Sequence, residues 1–135
     1  MAIDFYWGSG SPACWRVALA LEFKGLRYQS HLLHFDRQEH KSPQMLAMNF
    51  RGKLPVLRDD DYVVFESLAI LYYLDQSYPA PPIFGRNPHE AGVIMRVICE
   101  YQSYAEPPLK QIVATLLGNP ERAAGDELTE AMHRV

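Results

Sequence analysis

Ser11 and Cys14 stand three residues apart behind the loop Gly8-Ser9-Gly10. The spacing is that of a dithiol-exchange C-x-x-C, but a hydroxyl occupies the first, attacking place, where exchange needs a reactive thiolate. Cys14 falls inside the first turn of a helix and reads as core packing rather than as a redox thiol. Ser11 directly before Pro12 is a strong helix start, with serine as N-cap and proline at the first helical position. Position alone makes Ser11 a cap. A second helix start lies at Glu66-Ser67. A serine O–H with free backbone N–H groups suits a carboxylate, and an acidic residue also suits that helix end, so capping and ligand binding are compatible there. The histidines His31, His34, His40, His89 and His133 are scattered, with no H-E-x-x-H or similar spacing, and no metal is expected.

The elements that must position these residues follow from local pattern. Ala2–Trp7 is apolar and aromatic, a first strand broken by the glycine-serine loop. Trp15, Leu19 and Phe23 recur at helical spacing, as do Val17 and Leu21, and Gly25 closes that helix. Residues 27–33 form a second strand, so the chain opens strand–helix–strand, the order of a parallel crossover. Pro43 allows one short helix within the polar segment 36–49. Leu54–Leu57 starts a strand, Asp59-Asp60-Asp61 turns, and Tyr62–Phe65 returns as a tight antiparallel hairpin. Glu66-Ser67 then opens an apolar helix through Leu74 that ends before Pro79. The proline-rich stretch 78–85 is an extended linker. Asn87-Pro88 starts a further helix through Tyr101, Pro107-Pro108 should kink or break it, and Leu109–Leu117 continues it. Gly118-Asn119-Pro120 is another breaker, and the last fifteen residues are mostly polar. The expected fold is α/β, in the order βαβ, short helix, ββα, with a mixed four-stranded sheet, followed by an all-α part.

Composition narrows the class. The chain has 135 residues, 48% apolar and 21% charged, with a net charge of −3. That is about one ordinary domain with enough apolar residues for a core. No lysine or arginine run suggests nucleic acid, no apolar stretch approaches a membrane span, and no basic-then-apolar start suggests a secretory signal. Two cysteines, Cys14 and Cys99, build neither a disulfide scaffold nor a cysteine-rich zinc module, and fit a reduced, cytoplasmic compartment.

Three segments together resemble the glutathione S-transferases. Ser11-Pro12-Ala13-Cys14-Trp15-Arg16-Val17 is similar to the catalytic-serine segment of the tau, zeta, phi and theta classes. Asn49-Phe50-Arg51-Gly52-Lys53-Leu54-Pro55-Val56-Leu57 is similar to the family's N-P-x-G-K-V-P-V-L segment with its cis-proline. Phe50 stands where proline is usual, and Leu54 where valine is common. Phe65–Leu74 is close to the E-S-x-A-I-x-x-Y-L segment that grips the γ-glutamyl end of glutathione. The likeness covers residues 1–78 well and about 87–117 more loosely. It implies a thioredoxin-like, glutathione-binding domain over 1–80, a linker at 81–86, and the start of an all-α domain over 87–135.

The resemblance also implies chemistry. Glutathione is the co-substrate, and its thiol must become a thiolate near neutral pH, although free thiols titrate near about 8.5. The Ser11 O–H, matching the family's serine in preference to nearby Ser9, would donate to sulfur and favour the charged form. Leu54, through its backbone at a cis bond to Pro55, would pair with the cysteinyl backbone like an added strand. Lys53, with Lys41 and His40, would hold the glycyl carboxylate, and Glu66 and Ser67 the γ-glutamyl end. The electrophile, small and hydrophobic, would meet Tyr101, Tyr104 and Leu109. The implied protein is a cytoplasmic, detoxifying homodimer, without nucleic acid, membrane or metal. Alternatives are a non-catalytic or truncated binding module and a glutathione-dependent maleylacetoacetate isomerase.

Overall fold

The computed structural model describes residues 2–118, with side chains to residue 115. Two compact units divide at residues 83 and 84. The first contains strand β1 (Ile3–Trp7), helix α1 (Pro12–Phe23), strand β2 (Tyr28–Leu32), a 3-10 turn (Glu39–Lys41), helix α2 (Pro43–Met48), strands β3 (Val56–Asp59) and β4 (Tyr62–Phe65), and helix α3 (Ser67–Ser77). The sheet order is β2-β1-β3-β4. β1 runs parallel to β2 and antiparallel to β3, and β3 and β4 form the antiparallel hairpin.

Alternation along the strands sorts the core onto two faces. Phe5 pairs with Leu57, and Leu57 with Val64. All three are buried. Helices α1 and α3 pack together on this side, contributing buried Val17, Leu21, Ile70 and Leu74. The next rung, Tyr6 and Val56, faces the other way and packs with Met45 of α2. Each fully buried aliphatic side chain contributes about 1.5–3 kcal/mol relative to exposure.

Helix α1 shows how local chemistry sets its ends. The Ser11 hydroxyl accepts from the Cys14 N–H at 3.3 Å, and Pro12 takes the first helical position. At the other end Gly25 has φ +62. Its N–H donates to Glu22 O at 2.9 Å, and Leu26 N–H to Leu21 O at 3.1 Å, closing the helix with two crossed bonds. The two apolar stripes of α1 part company. Val17 and Leu21 are fully buried, whereas Trp15, Leu19 and Phe23 are 58%, 70% and 60% exposed.

Lys24, just past α1, is buried as well. Its ammonium donates to Asp75 Oδ1 at 3.1 Å, Tyr78 O at 2.7 Å and Pro81 O at 2.8 Å. Asp75 Oδ1 also accepts from the Ile83 N–H at 2.6 Å. The proline-rich segment is therefore pinned to the helical layer, with Ala80–Pro81 cis.

The second unit contains helix α4 (Pro88–Glu100), a π-helical turn (Tyr101–Ala105) and helix α5 (Glu106–Gly118). Asn87 caps α4 through a bond from the Glu90 N–H at 3.0 Å. The interruption expected around Pro107-Pro108 falls just ahead of them, where the α-helical pattern gives way to the π turn before resuming as α5. The wide π turn precedes the prolines, and they fall in the first turn of α5, where the missing N–H costs least. The breaker expected at Asn119-Pro120 and the polar tail lie outside the described residues. No described helix is long and apolar enough to cross a membrane.

Candidate functional site

Register brings the three sequence segments to one end of the sheet. Tyr6 pairs with Val56, and Val56 with Phe65. Just beyond this rung, β1 leaves through Trp7 toward Ser11, β3 arrives from Leu54-Pro55, and β4 leaves into Glu66-Ser67. β2 ends beside them, since Leu33 N–H donates to Trp7 O at 2.8 Å. The segment carrying His40 and Lys41 follows from the same end.

Ser11 sits half-buried at the N-terminus of α1. Its oxygen accepts from Cys14 N–H, which leaves its own O–H free to donate. The N–H groups of the first helical turn add positive potential. Cys14 is fully buried and unbridged, and its Sγ accepts from the Gly8 N–H at 3.5 Å. Ser9 is exposed. A Cβ at Gly8 would run into the Phe35 ring, so that ring lies directly on the backbone after β1. His40 meets Phe35 edge-on at 5.1 Å.

The Leu54–Pro55 bond is cis. Ahead of it Asn49, 2% exposed, shapes the turn. Its Nδ2 donates to Lys53 O at 2.9 Å, and its Oδ1 accepts from Arg51 N–H at 3.1 Å. A Cβ at Gly52, which holds φ +56, would stand 3.3 Å from Lys41 Cγ and crowd it. Lys41 and Lys53 therefore flank one turn, both exposed. Sequence reasoning passed over Asn49 as a shaping residue, although an amide-bearing side chain before a glycine turn is its signature.

Glu66 holds φ +70, a conformation that costs a non-glycine residue on the order of 1–3 kcal/mol. Its side chain makes no capping bond, so the acidic cap expected at this helix is absent and the carboxylate is exposed. Ser67 is buried, and its Oγ accepts from Arg16 Nη1 of α1 at 3.0 Å. Nothing in the local sequence marks that contact, because its partners are 51 residues apart.

Tyr101 and Tyr104 lie on the π-helical turn and Leu109 on α5, all in the second unit. Elsewhere, the Arg58 guanidinium and then His31 hold the Asp4 carboxyl below its usual range. Burial and then hydrogen bonding to Asp59 push the Tyr78 hydroxyl up. Both lie toward the opposite end of the sheet, where Ile3 pairs with Asp59. Among the described residues no group of three His, Cys, Asp or Glu side chains could hold a metal ion.

Comparison with known proteins gives this geometry a context. Residues 6–82 match the model of the glutathione S-transferase N-terminal domain. Glutathione S-transferase A of Pleuronectes platessa is 48% identical over 73 residues, 53% of this chain and 32% of that protein. Maleylacetoacetate isomerase of Pseudomonas aeruginosa is 37% identical over 97 residues, 67% of this chain and 46% of that protein. The crystal structure of a glutathione S-transferase from the Antarctic clam Laternula elliptica superposes with a TM-score of 0.85 at 32% identity, covering 99% of this chain and 61% of that one. The chain thus spans from a third to about three fifths of these relatives. Its first unit has the family's thioredoxin-like fold, with the matched segments at the same end of the sheet. The chain belongs to the glutathione S-transferase family.

Proposed function

We propose that this end of the sheet binds glutathione and activates its thiol for attack on an electrophilic carbon. The observation that carries the reading is the shared rung Tyr6–Val56–Phe65, which delivers Ser11, the cis Leu54–Pro55 bond and Glu66-Ser67 side by side. The Ser11 O–H donates to the sulfur and, with the α1 N-terminus, favours the thiolate. The backbone of Leu54 pairs with the cysteinyl unit. Lys53 and Lys41 hold the glycyl carboxylate, and Ser67 and Glu66 hold the γ-glutamyl carboxylate and ammonium. The thiolate gives its electron pair to carbon, and the displaced pair leaves with a leaving group or is protonated after addition.

In this proposal residues 1–80 form the glutathione domain, residues 81–86 the linker, and 87–135 the start of the helical domain. Tyr101 and Tyr104 contact a small hydrophobic electrophile. The working protein is a cytoplasmic homodimer acting in detoxification. The likeness to a maleylacetoacetate isomerase supports a second reading, in which the bound thiolate adds reversibly to a conjugated double bond and lets it rotate.

Isothermal titration of glutathione, with a conjugation assay on the chain and on Ser11→Ala, tests the reading. Binding with conjugation that falls by about 100-fold or more in Ser11→Ala supports it. Binding without conjugation reduces the function to a non-catalytic glutathione-binding module. No binding by folded protein overturns it.

A further inference from the structure

We propose that Arg16 is a positioning residue for the carboxylate end of the ligand, acting through Ser67. The inference rests on the glutathione reading above. Arg16 Nη1 lies 3.0 Å from Ser67 Oγ, in a half-buried contact joining α1 to α3.

The direction of this hydrogen bond is fixed by chemistry. A guanidinium carries donors and no acceptor, so Ser67 must accept. A serine hydroxyl has one proton and can otherwise turn it to several partners. With Arg16 occupying an acceptor site of Ser67 Oγ, the proton is directed away from the guanidinium. Ser67 is the first residue of α3, where backbone N–H groups have no partner within the helix. A carboxylate arriving there meets a serine O–H turned away from Arg16, the N–H groups of the first helical turn, and a cation behind the hydroxyl. Arg16 never has to touch the ligand.

The same helix also carries Ser11. One rigid element therefore presents the hydroxyl proposed for the sulfur and, just over one turn later, the group that aims the hydroxyl proposed for the γ-glutamyl carboxylate. A shift of α1 would disturb both ends of the ligand together.

The test is isothermal titration of two peptides into the full chain and its variants. One is glutathione. The other is γ-aminobutyryl-cysteinyl-glycine, which lacks the γ-glutamyl α-carboxylate but keeps the ammonium. Arg16→Met should weaken glutathione binding about 10- to 100-fold, the range expected for losing one charged hydrogen bond. It should leave affinity for the truncated peptide within about twofold. Arg16→Lys, which keeps charge but not the planar fork, should fall between. Adding Ser67→Ala to Arg16→Met should cost little more than Ser67→Ala alone, because the two act as a unit. Equal losses for both peptides, or none for either, overturn the inference while leaving the glutathione reading standing. If the unsubstituted chain fails to bind glutathione, both fall. Thermal melting checks folding, and should Arg16→Met not fold, the same comparison on Arg16→Lys decides.

Discussion

The ammonium of Lys24, fully enclosed, donates to Asp75 Oδ1 across 3.1 Å and spends its other protons on two backbone carbonyls. The pair joins the end of α1 to the end of α3 and to the proline-rich segment beyond. A buried charge is tolerated only when paired and fully hydrogen-bonded, and all three Lys24 protons have acceptors. Lys24→Met should cost about 3–5 kcal/mol, because it strands the Asp75 carboxylate in the interior. The check is urea unfolding of the two proteins. An unchanged midpoint would show that the carboxylate finds water instead.

Asn49 should matter beyond its volume. Asn49→Ala removes the bonds to Lys53 O and Arg51 N–H from a nearly inaccessible site. We expect a loss of about 1–3 kcal/mol, the cost of leaving buried polar groups unmet. The turn before Pro55 should also loosen. Titration with glutathione at a temperature where the variant is folded should show weaker binding. Full affinity in the variant would mean that Gly52 and the proline set the turn without it.

Acid should weaken the sheet through Asp4. Its carboxylate accepts from Arg58 Nη2 at 2.7 Å and lies 2.6 Å from His31 Nε2. These partners hold its folded pKa below the ordinary 3.8. A lowered folded value means that the unfolded chain takes up the proton first. The contribution is therefore present above about 3.8 and lost as pH falls through the folded value. In urea unfolding, the stability gap between the protein and Asp4→Asn should narrow from pH 6 toward pH 3. A gap independent of pH would refute the assignment.

Tyr78 gives the opposite sign. Its hydroxyl donates to Asp59 Oδ2 at 2.6 Å, beside Tyr73 at 2.9 Å, and burial with that bond raises its pKa. The neutral phenol is the folded form, so its contribution is present below the unfolded value near 10 and lost as pH rises through the folded one. Tyr78→Phe should cost about 1–3 kcal/mol at pH 7, since buried Asp59 keeps one carboxylate oxygen that already has no hydrogen-bond partner. Difference absorbance at the phenolate band should show a group in the folded protein titrating above free tyrosine, and missing from Tyr78→Phe.

What could be read from the sequence follows from range. Ser11-Pro12, Gly25, Asp60-Asp61 and Asn87-Pro88 act on backbone within a few residues, so helix ends and the hairpin were legible. The two stripes of α1 were visible too, but spacing alone cannot tell which one a neighbour covers. Val17 and Leu21 meet the core, while Trp15, Leu19 and Phe23 do not. The interruption was expected at Pro107-Pro108, but its form was not legible: a wide turn changes the hydrogen-bond pattern just before the prolines. Within the candidate site the motif residues stood out. Their supports did not: Arg16 beneath Ser67 and Phe35 over Gly8 are made by tertiary approach.

The shared rung Tyr6–Val56–Phe65 has a consequence for quality control of the chain. A slip of one residue along β3 would invert its side chains and carry Pro55 away from Ser11 and Ser67 at the same stroke. Correct pairing and assembly of the candidate site are then a single event, and a ligand that fits the site reads out the alignment of the strands. Such a ligand adds stability to the aligned state alone, by RT ln(1 + [L]/Kd). If that ligand is glutathione, as proposed, a cell rich in it selects properly paired copies merely by containing it.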